Sequence, residues 1–271
     1  MQKQTMKSRW RFCALVLLAW TLAVNAQSPV PVENPVGEAA EVKALLQKKF
    51  PDAPIRHVEK TPYFGGLYEV LLGDQIIYTN KEVTHILGGS LYDTQNMPGG
   101  MQNLTDTRAR ELKRVDVTTI PTSLAFKRVK GKGERVLYLF SDIDCPFCER
   151  IEQTLRDINN VTIYTYLMPL DGLHPDAARK SRTIWCTKDR AKAWEAYFVT
   201  KTLPDNQGNC ETPINEVLQL AETLGVRGTP ALIFADGTIV PGALPKEKLE
   251  AELSRAEVAA IALNAAKKKG K

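Results

Sequence analysis

Apolar residues fall along the chain in three regimes. One continuous run lies near the start, a short stretch of mixed helix and strand signals follows, and a longer stretch then alternates apolar strands with amphipathic helices. The first run covers residues 12–24 and follows Lys3, Lys7, Arg9 and Arg11. Residues 28–37 are rich in proline and read as loose chain. From Glu38, the positions Val42, Leu45, Leu46 and Phe50 predict a short amphipathic helix that stops at Pro51. Residues 67–72 and 75–78 are β-rich runs on either side of Gly73-Asp74, the signature of a hairpin. Residues 85–92 read as one more strand, interrupted by Gly88 and Gly89, with His85 on its surface. The unit spanning 38–93 has few apolar residues with which to close a core of its own. Beyond the break at Pro98-Gly99-Gly100, Asn103 or Thr105 is placed to cap a helix over 106–115. Its apolar stripe (Ala109, Leu112, Val115) is thin, so a solvent-bridging linker is expected, ending before Pro121.

The rest of the chain has stronger signals. Residues 123–129 form a candidate strand, 130–133 a turn, and the five apolar residues at 136–140 suit a strand buried on both faces. Ile151, Leu155 and Ile158 then mark one face of a helix. A β-branched and aromatic strand follows at 161–168, and after Pro175 a helical insert holds Ile184, Trp185, Cys186, Trp194 and Phe198. A helix over 214–224 is closed by Gly225. The strands 231–234 and 238–240 flank Asp236-Gly237, and a last helix begins at Pro245.

Charge changes the picture once residues 1–26 are set apart. A basic start, an apolar core and the small residues of Val24-Asn25-Ala26 make a secretory signal, cleaved before Gln27. The full chain has 36 basic and 31 acidic residues; the signal takes four basic ones and no acidic ones, leaving 32 against 31. A near-neutral mature chain gives no reason to expect a nucleic-acid partner, and the lysines at 267–271 read as a solvated tail. Export sets Cys145, Cys148, Cys186 and Cys210 where disulfides persist, while Cys13 leaves with the signal.

The candidate chemistry lies between the strand at 136–140 and the helix after it. Cys145-Pro146-Phe147-Cys148 is a Cys-x-x-Cys, and Pro146 suits the first helical turn. Cys145 would then sit at a helix N-terminus, where unpaired N–H groups and the macrodipole favour thiolate over thiol. A zinc site would need a second Cys/His pair at short spacing, and His57, His85 and His174 stand apart in the chain. Neither a metal nor an organic cofactor is expected. Asp142 and Asp144 flank the motif and read as exposed loop or strand-end residues, with a catalytic role as the alternative. Cys186 and Cys210 frame a loop for which a structural disulfide is expected, the alternative being a second redox pair.

Thr229-Pro230, about 85 residues beyond the Cys-x-x-Cys and just before a strand, completes a pattern. The order β-β-α-β-(helical insert)-α-β-β-α resembles the thioredoxin-like fold, in which a proline at this place is cis and lies against the cysteines. More closely, residues 140–148, 184–189, 225–231 and 237–242, together with 88–93, resemble the DsbC/DsbG family of periplasmic disulfide isomerases. The resemblance implies an α+β, cystatin-like dimerisation domain at 27–94, a linker helix at 95–122, and an α/β thioredoxin-like catalytic domain with a helical insert at 123–271. It implies Cys145 and Cys148 as the catalytic pair, Pro146 and Phe147 as their support, and Thr229 and Pro230 against the substrate. It also implies a homodimer with chaperone activity, misfolded or mispaired exported proteins as substrates, and a membrane reductase of the DsbD type as partner. Pro146-Phe147 departs from the family's familiar Gly-Tyr. A DsbG-like reductase, a holdase chaperone and a DsbA-like oxidase are therefore kept as alternatives.

Overall fold

The computed structural model describes residues 36–95 and 100–269. The expected signal peptide and most of the proline-rich stretch lie outside the described residues.

Helix α1 (Glu38–Lys49) packs on one face of an antiparallel sheet ordered β1 (Ile55–Lys60), β2 (Tyr68–Leu72), β3 (Gln75–Thr79), β4 (Ile86–Gly88). The hairpin forms as expected, with Leu72 opposite Gln75. Strand β1 is an addition to the sequence reading. It has only two buried positions, Ile55 and Val58, and a register shift between Ile55 and His57 breaks its alternation. Val42, Leu46, Ile55, Val58, Tyr68, Val70, Ile77 and Val83 are all buried together. The unit therefore closes a core, contrary to expectation, because β1 and Val83 supply apolar residues that local pattern does not reveal.

The two faces of this sheet are both used, as period-2 alternation requires. Leu71, Ile76 and Tyr78 point away from α1 and meet Ala109 and Leu112 of helix α2 (Leu104–Leu112). Asn103 is the cap, its side chain accepting from the Asp106 N–H at 3.0 Å. The expected solvent-bridging linker is corrected here: α2 is docked, and Tyr78 and Thr105 share a buried hydrogen bond of 2.6 Å. Arg108 adds charged contacts, reaching Glu69 at 3.0 Å, Glu59 at 2.5 Å and His57 at 3.4 Å. The His57–Glu59–Glu69 group is thus already satisfied by a guanidinium. The strand expected over 85–92 is also divided: after β4 the chain leaves the sheet, and β5 (Tyr92–Asp93) pairs with β6 (Gln102–Asn103).

The second sheet has the order β11 (Ile239–Pro241), β10 (Ala231–Phe234), β8 (Arg135–Ser141), β9 (Val161–Leu167), β7 (Phe126–Lys130). Only β8 and β9 are parallel, joined by the crossover helix α3 (Pro146–Arg156). Leu137 and Leu139 face one side, where α3 and the last helix α7 (Lys246–Lys269) contribute Ile151, Leu155, Leu249 and Leu253. Phe140 and Ala231 face the other, against Val217 and Ala221 of α6 (Ile214–Thr223). The insert comprises α4 (Ala177–Trp185) and α5 (Arg190–Thr200), which bury Ile184, Trp185, Trp194 and Phe198 beside the end of β9.

The chain after α2 is held tightly to this second sheet. The Val115 N–H donates to the Gly237 carbonyl at 2.9 Å. Gly237 has φ +84, and a Cβ there would stand 2.0 Å from the Val115 oxygen, so a side chain is excluded. Beside it, fully buried Asp236 accepts from Arg255 at 2.7 Å and pairs with Arg114 at 3.4 Å.

Candidate active site

Strand β8 ends in the turn 142–144, and Cys145 becomes the N-cap of α3 with Pro146 opening the helix. This is the local geometry the motif predicts. The Cys145 N–H donates to the Asp142 carbonyl at 3.3 Å, and its own carbonyl accepts from Glu149 at 3.0 Å. Cys148 lies one turn inward with no exposure, accepting the Asp142 N–H at its Sγ at 3.3 Å. Both cysteines are free thiols. Opposite them, the Thr229–Pro230 peptide is cis, and Cys145 Sγ lies 3.4 Å from the Thr229 carbonyl oxygen. The structure therefore brings Cys145, Cys148, Thr229 and Pro230 together from positions 84 residues apart. Pro146 lies in the first turn of α3, and Phe147 is 54% exposed with the Arg150 guanidinium 5.4 Å from its ring. Cys186 and Cys210 are elsewhere, joined by a disulfide between the end of α4 and the loop before α6.

The two thiols are driven apart in acidity. The hydrogen bond from the Cys148 thiol, aided by the N–H groups of Cys148 and Phe147, brings Cys145 down to about 5 against the effect of burial. Burial pushes Cys148 far up, and facing Cys145 adds to it. One sulfur is an anion at neutral pH and the other holds its proton.

Two features escaped the sequence reading. Asp142, expected at the surface, has no exposure. Its carboxylate accepts from the N–H groups of Asp144 at 2.8 Å and Leu170 at 2.7 Å, and pairs with His174 Nδ1 at 2.9 Å. Asp144 is partly buried and tied to Lys180 at 2.6 Å and Tyr197 at 3.3 Å. The second feature is Glu152, one turn beyond Cys148 on the buried side of α3. It binds Arg128 through two bonds of 2.6 and 2.8 Å and accepts from Trp194 at 2.8 Å. A glutamate four residues after Cys148, on the same stripe as Ile151 and Leu155, was a readable sign of a buried ion partner.

A thioredoxin-type sheet with a Cys-x-x-Cys at a helix N-terminus facing a cis-proline defines the class of thiol–disulfide oxidoreductases. The comparisons agree. The profile of the thioredoxin-like domain matches residues 122–257, and that of the disulfide bond isomerase protein N-terminal domain matches 33–106. The probable thiol:disulfide interchange protein DsbC of Bordetella pertussis is 38% identical over 229 residues, covering 84% of this chain and 77% of that one. The thiol:disulfide interchange protein DsbC of Escherichia coli (strain K12) is 28% identical over 188 residues, covering 69% and 76%. A crystal structure of a disulfide interchange protein from Neisseria gonorrhoeae is 39% identical with a TM-score of 0.49, covering 51% of this chain and 99% of that one. The chain belongs to the DsbC family of thiol:disulfide interchange proteins.

Proposed function

We propose that the protein is a periplasmic disulfide isomerase that rearranges wrong disulfides in exported proteins through Cys145 and Cys148. The observation that carries this reading is Cys145 at the mouth of α3 facing the cis Thr229–Pro230 peptide, with Cys148 buried beneath it, in a chain that also has the isomerase-type N-terminal domain. An unperturbed cysteine is about 3% thiolate at pH 7, whereas a thiol near 5 is almost wholly ionised. Cys145 thiolate attacks one sulfur of a substrate disulfide, forming a mixed disulfide and releasing the other sulfur as thiolate. A second substrate thiol can displace Cys145, which leaves a new pairing and the enzyme unchanged. Alternatively Cys148 loses its proton and attacks Cys145, giving reduced substrate and an oxidised enzyme. The backbone of Thr229 offers hydrogen bonds to an extended segment without reading its side chains, so substrate choice is broad, with Pro230 packing beside the sulfurs. Pro146 and Phe147 shape the approach to Cys145.

Residues 27–94 serve as dimerisation domain, 95–122 as linker and 123–271 as catalytic domain. Strand β4 is a sheet edge whose three residues are all exposed, Leu87 at 58%, and such an edge pairs readily with another chain. In the dimer two active sites face one cleft that shelters misfolded substrate, giving chaperone activity. A membrane reductase of the DsbD type returns the pair to dithiol. Among the described residues no helix is long and apolar enough to cross a membrane.

Scrambled, disulfide-mispaired ribonuclease tests the reading. The reduced protein is expected to restore ribonuclease activity catalytically, and Cys145→Ser to abolish this. A holdase would only suppress aggregation, and an oxidase would act on reduced ribonuclease while leaving the scrambled form inactive.

A further inference from the structure

A carboxylate without exposed surface lies directly behind the active-site turn, and the same residue holds both cysteines by its main chain. The Asp142 N–H is bonded to Cys148 Sγ and the Asp142 carbonyl to the Cys145 N–H. A buried carboxylate needs more than two backbone donors to remain charged at low cost; it needs a counter-ion. The group placed to supply it is His174, 2.9 Å away and 20% exposed in its side chain. The other charged groups around the pair are committed elsewhere. From the active-site turn, Asp144 is paired with Lys180 of α4 at 2.6 Å and bonded to the Tyr197 hydroxyl of α5. Asp176, before α4, is held by Arg179 at 2.7 Å, and Asp171 on the His174 loop is exposed. Lys180 therefore cannot substitute for the imidazole.

We propose that His174 is a positioning residue for thiol exchange: as an imidazolium it neutralises Asp142 and so favours the thiolate of Cys145 beside it. The inference rests on Cys145 being the attacking thiol. When His174 is protonated, the pair is neutral and Cys145 loses its proton readily. When His174 is neutral, the bare Asp142 charge opposes a second anion a few residues away, and Cys145 becomes a weaker acid. The two titrations are reciprocal, so the Cys145 thiolate must equally hold the proton on His174. The direction for His174 agrees: its pKa is raised, first by the Asp142 hydrogen bond, with Cys145 and Asp144 contributing and burial opposing. The consequence for redox poise has a definite sign. Below the His174 pKa the reduced enzyme is stabilised by its thiolate, which makes the disulfide form the stronger oxidant. Above it the enzyme is the better reductant. None of this requires the imidazole to touch substrate.

The test uses the unmodified mature protein first. The chain holds three histidines, so the His174 resonances can be followed by NMR through a pH titration, assigned with His174→Asn. Oxidising Cys145–Cys148 to a disulfide removes the thiolate, and the His174 pKa is expected to fall by about one unit. Equal His174 pKa values in the two redox states overturn the proposal. The variants add a second reading. His174→Asn keeps a donor for Asp142 without the charge, and the ultraviolet titration of Cys145 thiolate should move up by about one unit, a tenfold loss of thiolate below that pKa. Adding Asp142→Asn removes the uncompensated anion and should move it back. A Cys145 titration unmoved in the single variant, or shifted as far in the double, also overturns the proposal. A wild-type Cys145 that titrates as an ordinary thiol near pH 8.5 is a different failure, that of the attacking-thiol assignment itself.

Discussion

Cys145 and Cys148 are three residues apart, yet one sulfur sits at a helix mouth and the other is buried beneath it against the Asp142 N–H. The depressed group is charged above its folded pKa, so reaction with iodoacetamide should fall only as pH drops through about 5. At about pH 6, labelling followed by mass spectrometry is expected to find Cys145 alone modified. Equal labelling of both cysteines would sink the assignment of roles. Cys148→Ser should trap mixed disulfides with substrate and Cys145→Ser should not. A second residue-scale prediction concerns Glu152. Replacing it by Ala removes both short bonds to the Arg128 guanidinium, which is 6% exposed, and leaves it the Thr165 hydroxyl at 3.1 Å and the Glu195 carboxylate at 3.7 Å. Breaking a buried pair from one side costs about 3–5 kcal/mol, to be read from urea unfolding. A loss below about 1 kcal/mol would mean that Glu195, 3.7 Å away, or water takes over the guanidinium.

At the scale of elements, the insert is tied to the rest of the domain by a few packing contacts and one disulfide. Helices α4 and α5 pack against the end of the sheet by a few aromatic side chains, and the Cys186–Cys210 disulfide closes a sequence separation of 24 around α5. Chain entropy assigns a loop of that size about 3–4 kcal/mol. The pair Cys186→Ala and Cys210→Ala should therefore lower stability by roughly that amount in denaturant melts while leaving Cys145 labelling unchanged. Mild reduction should open Cys145–Cys148 first. Simultaneous opening would instead favour the second-redox-pair reading of Cys186 and Cys210. Helix α3 is the better-specified element: Pro146 starts it, Cys148, Ile151 and Leu155 are its buried stripe, and only Glu152 breaks the pattern.

At the scale of the molecule, the N-terminal sheet presents an open edge at β4 while α2 and the segment to Ile120 are fastened to the catalytic sheet through Gly237 and Asp236. Movement of the catalytic domain relative to α2 is thus restrained, and the β4 edge is the surface proposed for assembly. Leu87→Lys places a charge on that edge without touching either core. The variant is expected to sediment as a monomer, to reduce small disulfides as well as the parent, and to lose most isomerase activity on scrambled ribonuclease. A variant that stays dimeric, or a monomer that isomerises normally, would remove β4 from the proposed role.

Much of this protein was readable in one dimension. The β2–β3 hairpin, the helix after Cys145, the strand at 231–234 and the element order of the catalytic domain all follow from periodicity and turn residues, because burial of one face leaves a period in the sequence. The Cys-x-x-Cys and Thr229-Pro230 were equally visible, since their types are rare and their spacing informative. Other features exist only after folding. Strand β1 has a broken alternation and is a strand because β2 pairs with it. The thin stripe of α2 looked solvent-bound, yet it covers Leu71, Ile76 and Tyr78 on the second face of a sheet whose first face α1 already uses. Asp142 looked like loop surface, and His174, 32 positions away, looked solitary. Folding brings the end of β8 and the loop after β9 side by side, because the two strands run parallel and finish together. A charge can be buried there only because the loop returns an imidazole to meet it, a pairing set by tertiary proximity.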